Sequence, residues 1–237
     1  MVIGDNPEEK LAPYQENNMG DCPEEYLEFC DRTEEARERY ENGFTKHWRT
    51  PDGQLRSYYE WNIRKLNNKE LVITEFKEKY ETFEDFVTDY YGFQYYEDQD
   101  GYGYWHNPNS RWDWYLLGGR WKGLLLVSDD AECYEGSKGI NERDHEDYYP
   151  APDGYQWCDA AKFGDIEWSM MEEIAKEEHD PDDPRFSTFA VVTKDGEWYS
   201  KGWGGDGDEN SFKDEFHERF LKDLNDDDWI WIFDCHV

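Results

Sequence analysis

The sequence predicts an α+β fold, with a mixed or antiparallel sheet and flanking helices. Three observations carry this: a C-terminal β-β-α-β pattern, stretches of helical periodicity before it, and enough aromatic mass to build a core. Aromatic residues make up 18% of the chain, with 12 Trp, 18 Tyr and 13 Phe. Each removes about 150–250 Å² from water when packed, which offsets a low aliphatic content.

The first 20 residues are polar, carry Pro7 and Pro13, and end on the turn signal Asn17-Asn18-Met19-Gly20. They read as an extended arm over 1–20, ahead of a single domain over 21–237. Pro23 stands at a first helical position, and Tyr26, Leu27, Cys30, Ala36 and Tyr40 follow at helical spacing. A helix over 23–41 is expected, broken near Asp31 and stopped at Asn42-Gly43. A second helical region spans 69–91, with Thr82 as N-cap, Asp85 three residues on, and Gly92 as the stop. Residues 92–110 read as loop with short extended pieces. Arg111 to Val127 reads as two strands meeting at Gly118-Gly119. The polar stretch 128–157, with Pro150, Pro152 and Gly154, reads as an insertion outside the core.

A helix over 165–178 follows, with Ile166, Met170, Ile174 and Ala175 on one face. In the tail, Ser187–Thr193 and Glu197–Lys201 are strands joined at Asp195-Gly196. Ser211 is read as an N-cap to a helix whose apolar face is Phe212, Phe216, Phe220, Leu221 and Leu224. Trp229–Phe233 is the last strand and runs out at Asp234-Cys235-His236-Val237.

Charge narrows function. Asp and Glu number 58 against 25 Lys and Arg, a net charge of −33. Such a surface repels phosphate, which argues against direct nucleic-acid binding and against an anionic membrane face. No run approaches the roughly 18 apolar residues of a membrane span, and the first residues lack a basic segment followed by an apolar one. A cytoplasmic location is therefore expected. Five widely spaced cysteines with no C-x-x-C pair argue against a disulfide framework and a structural zinc site. Halophilic adaptation would deplete lysine, which this chain keeps. Two explanations of the acidity remain: a solubilising surface, or a face that docks on a cationic protein and in the limit imitates a nucleic acid's phosphates.

The strongest chemical constellation is Trp112, Asp113, Trp114, Tyr115, Arg120 and Trp121. Strand alternation would place Trp112 and Trp114 on one face and Asp113 and Tyr115 on the other. A bend at Gly118-Gly119 would bring Arg120 to Asp113, leaving indole faces for a planar ligand or a guanidinium. The same residues equally suit a buried structural pair among core tryptophans. Arg111, Arg120 and Lys122 form a local cationic group around this motif, which a small anionic ligand would need.

Asp234 and His236, with Cys235 between them, set a carboxylate, an imidazole and a thiol at the end of the last strand. Adjacent strand residues point to opposite faces, so a Cys235–His236 nucleophilic pair is disfavoured. Further metal ligands would have to come from His106, His145, His179 or His217, which follow no ligand spacing. No metal and no cofactor are expected. Asp206-Gly207-Asp208-Glu209-Asn210 fails as an EF-hand because Ser211 and His217 stand where Gly and Glu are required. Gly118-Gly119 and Gly204-Gly205 lack the context of a phosphate cradle. Acidic runs at Glu24-Glu25, Asp180–Asp183 and Asp226–Asp228, interleaved with Tyr148, Tyr149 and Trp229, offer charge with aromatic anchors.

The run Asn107-Pro108-Asn109-Ser110-Arg111-Trp112-Asp113-Trp114-Tyr115, with Gly118-Gly119-Arg120-Trp121, resembles a family of bacteriophage, prophage and host proteins with the pattern N-P-x-x-x-W-D-W-Y-x-x-G-G-R-W. Pro13-Tyr14-Gln15-Glu16-Asn17, Gly164-Asp165-Ile166, the stretch from Val191 through Asp195-Gly196-Glu197-Trp198, and Asp234-Cys235-His236-Val237 extend the likeness over about 13–237. After Lys201-Gly202 the chain departs from the family, with a glycine-rich acidic stretch over 203–208. The resemblance implies a phage or prophage setting, hence a host cytoplasm, and a shared site, without naming a reaction.

The leading expectation is a non-enzymatic protein that binds a basic host protein of defence or nucleic-acid metabolism and inhibits it. The alternative is a small-ligand site on Trp114, Asp113 and Arg120, joined by His236, that sequesters or hydrolyses a nucleotide-like signal.

Overall fold

The computed structural model describes residues 1–139, 150–178, 185–201 and 209–236, with the side chains of 209–211 left aside. Its helices and mixed and antiparallel sheets make it an α+β protein. The chain divides into two compact units, Met1–Tyr26 with Asn107–Val237, and Leu27–His106. The expected single domain over 21–237 is thus interrupted by a second unit that carries its own core.

The first unit is organised on a six-stranded sheet. Its order is Cys133–Tyr134, Ala160–Lys162, Trp229–Trp231, Val2–Ile3, Ala190–Val192, Trp198–Ser200. All pairings are antiparallel except that of Val2–Ile3 with Ala190–Val192. Alternation along the strands splits their side chains between two cores. Ile3, Ala161, Val191 and Ile230 join Leu125, Leu126, Val127, Phe216 and Phe220 on one side. Val2, Val192 and Trp231 join Leu11, Trp112 and Tyr115 on the other.

Residues 1–20 are therefore not an extended arm. Val2 and Ile3 are each 1% exposed at the centre of the sheet, and Pro7–Leu11 is a helix that buries Leu11. Their pairing partners lie about 190–230 residues away, beyond the reach of any local pattern. The expected insertion over 128–157 also contains core. Tyr155–Cys158 pairs antiparallel with Leu125–Ser128 and buries Trp157 and Cys158, while 140–149 lie outside the described residues.

The remaining helix of the middle region is Trp168–Glu178, beginning after a turn at Phe163–Asp165. In the tail the hairpin of Ala190–Val192 and Trp198–Ser200 turns through Gly196 at φ 87°. The next helix begins at Glu209, so Ser211 lies inside it rather than capping it, and it continues as a π-turn over His217–Leu221. Phe216, Phe220 and Leu221 are buried as the spacing requires. The last strand breaks at Ile232: Trp229–Trp231 belongs to the large sheet, whereas Phe233–His236 pairs with Trp114–Gly119. Trp114–Gly119 also pairs in parallel with Ser137–Lys138.

The second unit has two three-stranded sheets, Glu28–Asp31, Gly101–His106, Gln94–Tyr96 and Leu55–Ser57, Phe44–Arg49, Glu70–Glu75. Its core is aromatic: Phe76, Tyr80 and Phe86 pack with Ala36 and Val87, and the Phe76 and Phe86 rings lie 4.7 Å apart. The expected helix over 23–41 survives only as Thr33–Asn42, because Glu28–Asp31 pairs with Gly101–His106. Likewise Glu70–Glu75 of the expected helix over 69–91 is a strand, in keeping with its β-branched Val72, Ile73 and Thr74. Thr82 caps the helix Phe83–Phe86 as expected, accepting from the Asp85 N–H at 3.0 Å.

Replacing Phe86 by Ala removes a fully buried ring and is expected to cost about 3–5 kcal/mol in denaturant unfolding. The accompanying loss of amide protection should concentrate in Leu27–His106; uniform loss across the chain would contradict separate cores.

Candidate functional site

The motif residues converge on the small sheet of the first unit. The register sets Leu116 opposite Asp234, Tyr115 opposite Cys235 and Trp114 opposite His236. Alternation turns Tyr115, Phe233 and Cys235 into the core, where the Tyr115 ring meets Trp112 at 4.9 Å and Phe233 at 5.2 Å. Trp114, Asp234 and His236 share the other face.

Trp112 and Trp114 are thus separated, contrary to the expected common face. The regular strand begins only at Trp114, and Trp112 bridges to Gln15 before it. Trp112 is 5% exposed, and its Nε1–H donates to the Leu11 carbonyl at 3.0 Å. It is a core residue.

The expected Asp113–Arg120 pair is replaced by two others. Asp113 Oδ1 lies 2.8 Å from His236 Nδ1, and the Asp113 N–H donates to the His236 carbonyl at 3.0 Å. The Trp114 indole stacks on the His236 ring at 5.3 Å and 12°. Arg120 instead grips Asp234: Nε donates to both carboxylate oxygens at 2.9 and 3.0 Å, Nη2 to Oδ1 at 2.6 Å, and the Arg120 amide to Oδ2 at 2.9 Å. Asp234 itself is only 1% exposed. Burial alone would raise its carboxyl, but the donors and charge of Arg120 hold it below the ordinary range.

A second buried carboxylate, Asp159, supports the same turn. It accepts from the amides of Gly123 and Gly136, each at 2.7 Å. Burial raises its carboxyl, and these amides only partly oppose that. The glycines explain how the chain comes so close. Gly118 and Gly119 sit at φ 78° and 55°, and a Cβ on Gly119 would fall 2.4 Å from the Asp234 Cβ. Asp159 escaped sequence reasoning because no motif marks it, and its amide partners lie 36 and 23 residues away.

Trp121, 53% exposed, caps this turn through its amide on the Gly118 carbonyl. Lys122 lies 3.6 Å from Glu135, so the cationic group expected around the motif is largely neutralised by its own neighbours. Cys235 faces the core and burial pushes its thiol up to about 11, away from His236. Among the described residues no three His, Cys, Asp or Glu side chains are grouped to hold a metal. His145, His179, Tyr148, Tyr149, Asp180–Asp183 and 203–208 lie outside the described residues.

At the edge of the large sheet, Tyr134 stacks on Trp231 at 5.6 Å and 17°, and Trp229 follows at 5.3 Å. Around this ladder stand exposed carboxylates. Glu132 and Glu135 are each 62% exposed and Asp227 is 94% exposed; Lys162 lies 3.9 Å from Glu132 and 3.7 Å from Asp227, Lys122 lies 3.6 Å from Glu135, and Asp228 is held more closely by Lys194 at 2.8 Å. Comparison with protein-family models, curated proteins and solved structures returned no match.

Gly119→Ala should cost about 3 kcal/mol or more, combining a left-handed φ with overlap on Asp234. Gly154→Ala, at φ 86° with open space around it, should cost only about 1–2 kcal/mol in the same thermal melts. Equal costs would show that Asp234 does not crowd the turn.

Because the folded Asp234 carboxyl lies below its ordinary value of 3.8, its stabilisation is complete above that pH and is lost as pH falls through the folded value. Asp234→Asn should therefore cost about 2–3 kcal/mol at pH 7. The deficit should shrink below pH 4, measured by urea unfolding; a deficit independent of pH would contradict an ionised clamp.

Proposed function

We propose that the chain is an acidic binding protein that docks on a cationic protein surface and thereby inhibits it. The phage or prophage setting implied by the motif resemblance makes a basic host protein the fitting partner. One observation carries this reading: where the charge sits. Of the 58 Asp and Glu, 18 fall in Leu27–His106 and 40 in the other unit, whereas the 25 Lys and Arg divide 11 and 14. The larger unit is thus the strongly acidic one. Its exposed Tyr134, beside Glu132, Glu135 and Asp227, adds an aromatic anchor to a carboxylate field. Carboxylates pair with a partner's Lys and Arg, and ring faces accept guanidinium groups. The small-ligand reading has less support, since Arg120 is committed to Asp234 and only Asp113, Trp114 and His236 of its residues stand together.

The tagged full chain, incubated with host extract, should retain a basic protein at 0.1 M salt and release it near 0.5 M. The triple change Tyr134→Ala, Glu132→Lys, Asp227→Lys should weaken retention at least tenfold with the melting temperature preserved. Retention that ignores both salt and these substitutions would refute docking through this face.

A further inference from the structure

The whole-chain charge conceals a segment of opposite sign. Residues 44–69 carry six cations, Lys46, Arg49, Arg56, Arg64, Lys65 and Lys69, against two carboxylates, Asp52 and Glu60. Among the described residues Arg49 alone of the six is held in an ion pair, with Glu70 at 3.2 Å.

The same segment builds a sheet that buries almost nothing. Across 44–73 only one apolar side chain, Ile63, is buried. Phe44, Leu55, Tyr59, Trp61, Leu71 and Ile73 are 43–78% exposed. Such a concentration of exposed apolar surface marks a binding face in a folded protein.

Register and ring contacts define that face. Trp48 stands opposite Arg56 and Leu71, and Lys46 opposite Ile73. Alternation therefore puts Phe44, Lys46, Trp48, Arg56, Leu71, Ile73 and Glu75 on one side, Glu75 opposite Phe44. Tyr58 stacks on Trp48 at 5.4 Å and 20°, and Tyr59 meets Tyr58 edge-on at 5.4 Å. Cations lie against these rings: Lys46 Nζ at 5.7 Å from Tyr58, Lys69 Nζ at 5.0 Å from Trp48, and Lys65 Nζ at 3.7 Å from Trp61. The result is a row of rings with ammonium and guanidinium groups between them.

We propose that this face of the Leu27–His106 unit is a docking surface for single-stranded nucleic acid. Bases supply planar faces for Trp61, Tyr59 and Phe44, and phosphates supply the anions for Lys46, Arg56 and Lys65; sequence-tolerant strand binders combine these two elements. The net charge of −33 does not forbid it. Screening limits charge interactions to about 8 Å at physiological salt, so a strand on this face senses the local balance, six cations against four carboxylates over the whole sheet segment 44–75, one of the four, Glu70, being tied to Arg49. A second copy of the chain would answer the charge but not the rings, and its acidic unit on this face would make a head-to-tail contact that does not close on itself. An anionic bilayer would answer the apolar side chains but not the placing of Lys46, Arg64, Lys65 and Lys69 against rings.

The test is anisotropy titration of the full chain against fluorescein-labelled oligo-dT and oligo-U, a matched duplex, and anionic vesicles, at 50 and 200 mM salt. Single strands should bind, more tightly at low salt and more tightly than duplex. Tyr59→Ala with Trp61→Ala, both on exposed positions, should weaken binding about tenfold or more at unchanged melting temperature. Lys46→Glu, Arg56→Glu and Lys65→Glu together should abolish it. No strand binding at 50 mM salt, equal duplex binding, or insensitivity to both variant sets overturns the proposal. So would vesicle binding, or self-association lost in these variants, without strand binding. None of these outcomes bears on capture of a basic protein by the other unit, which uses different residues.

Discussion

A chain with 58 carboxylates can fold only if nearly all of them stay in water, and among the described residues just two are buried. Both are spent on one turn. Asp234 holds Arg120 and its amide, and Asp159 holds the amides of Gly123 and Gly136. Burying a carboxylate costs several kcal/mol unless donors replace the lost water, and here each oxygen has at least one donor. Through these contacts the last strand, the glycine turn and the edge strand at Ser137–Lys138 become one joint, with the Asp159 carbonyl also accepting from Ile232 where the chain changes sheets. The motif that looks most like a ligand site is thus chiefly a structural device, with Asp113, Trp114 and His236 left on its outer face.

How far the sequence revealed this depended on range. The class, the Asp195-Gly196 hairpin, the Phe216/Phe220/Leu221 face and the Thr82 cap were legible because each rests on contacts a few residues apart. Val2–Ile3 and Tyr155–Cys158 were missed because a short apolar stretch among polar residues is decided by partners far along the chain. Glu70–Glu75 illustrates a different conflict: its spacing suited a helix, yet its β-branched residues and the partner strand Phe44–Arg49 prevailed. At the site, Arg120 was correctly sensed as needing a carboxylate. Which of two aspartates it takes depends on the register of Phe233–His236 against Trp114–Gly119, and nothing near Arg120 in sequence encodes that register.

Charge also reads differently once it is placed. As a total it describes a protein averse to phosphate; by unit it describes a strongly acidic part and a smaller part holding a cationic, aromatic face. Of the cations that the sequence grouped around the Gly-Gly-Arg motif, Arg120 and Lys122 have carboxylate partners, whereas among the described residues only Arg49 of the six in 44–69 is held in an ion pair. Both proposed binding roles therefore rest on surfaces outside the motif, and the buried clamp leaves the motif to hold the first unit together.

Native-state hydrogen exchange at the amides of Arg120, Gly123 and Gly136 tests that claim most directly. Bound to buried carboxylates, all three should exchange only through global opening of the first unit, with protection matching its unfolding free energy. Exchange as fast as that of an exposed turn such as Gly154 would contradict the clamp and return the Gly-Gly-Arg turn to the list of adaptable ligand-binding loops.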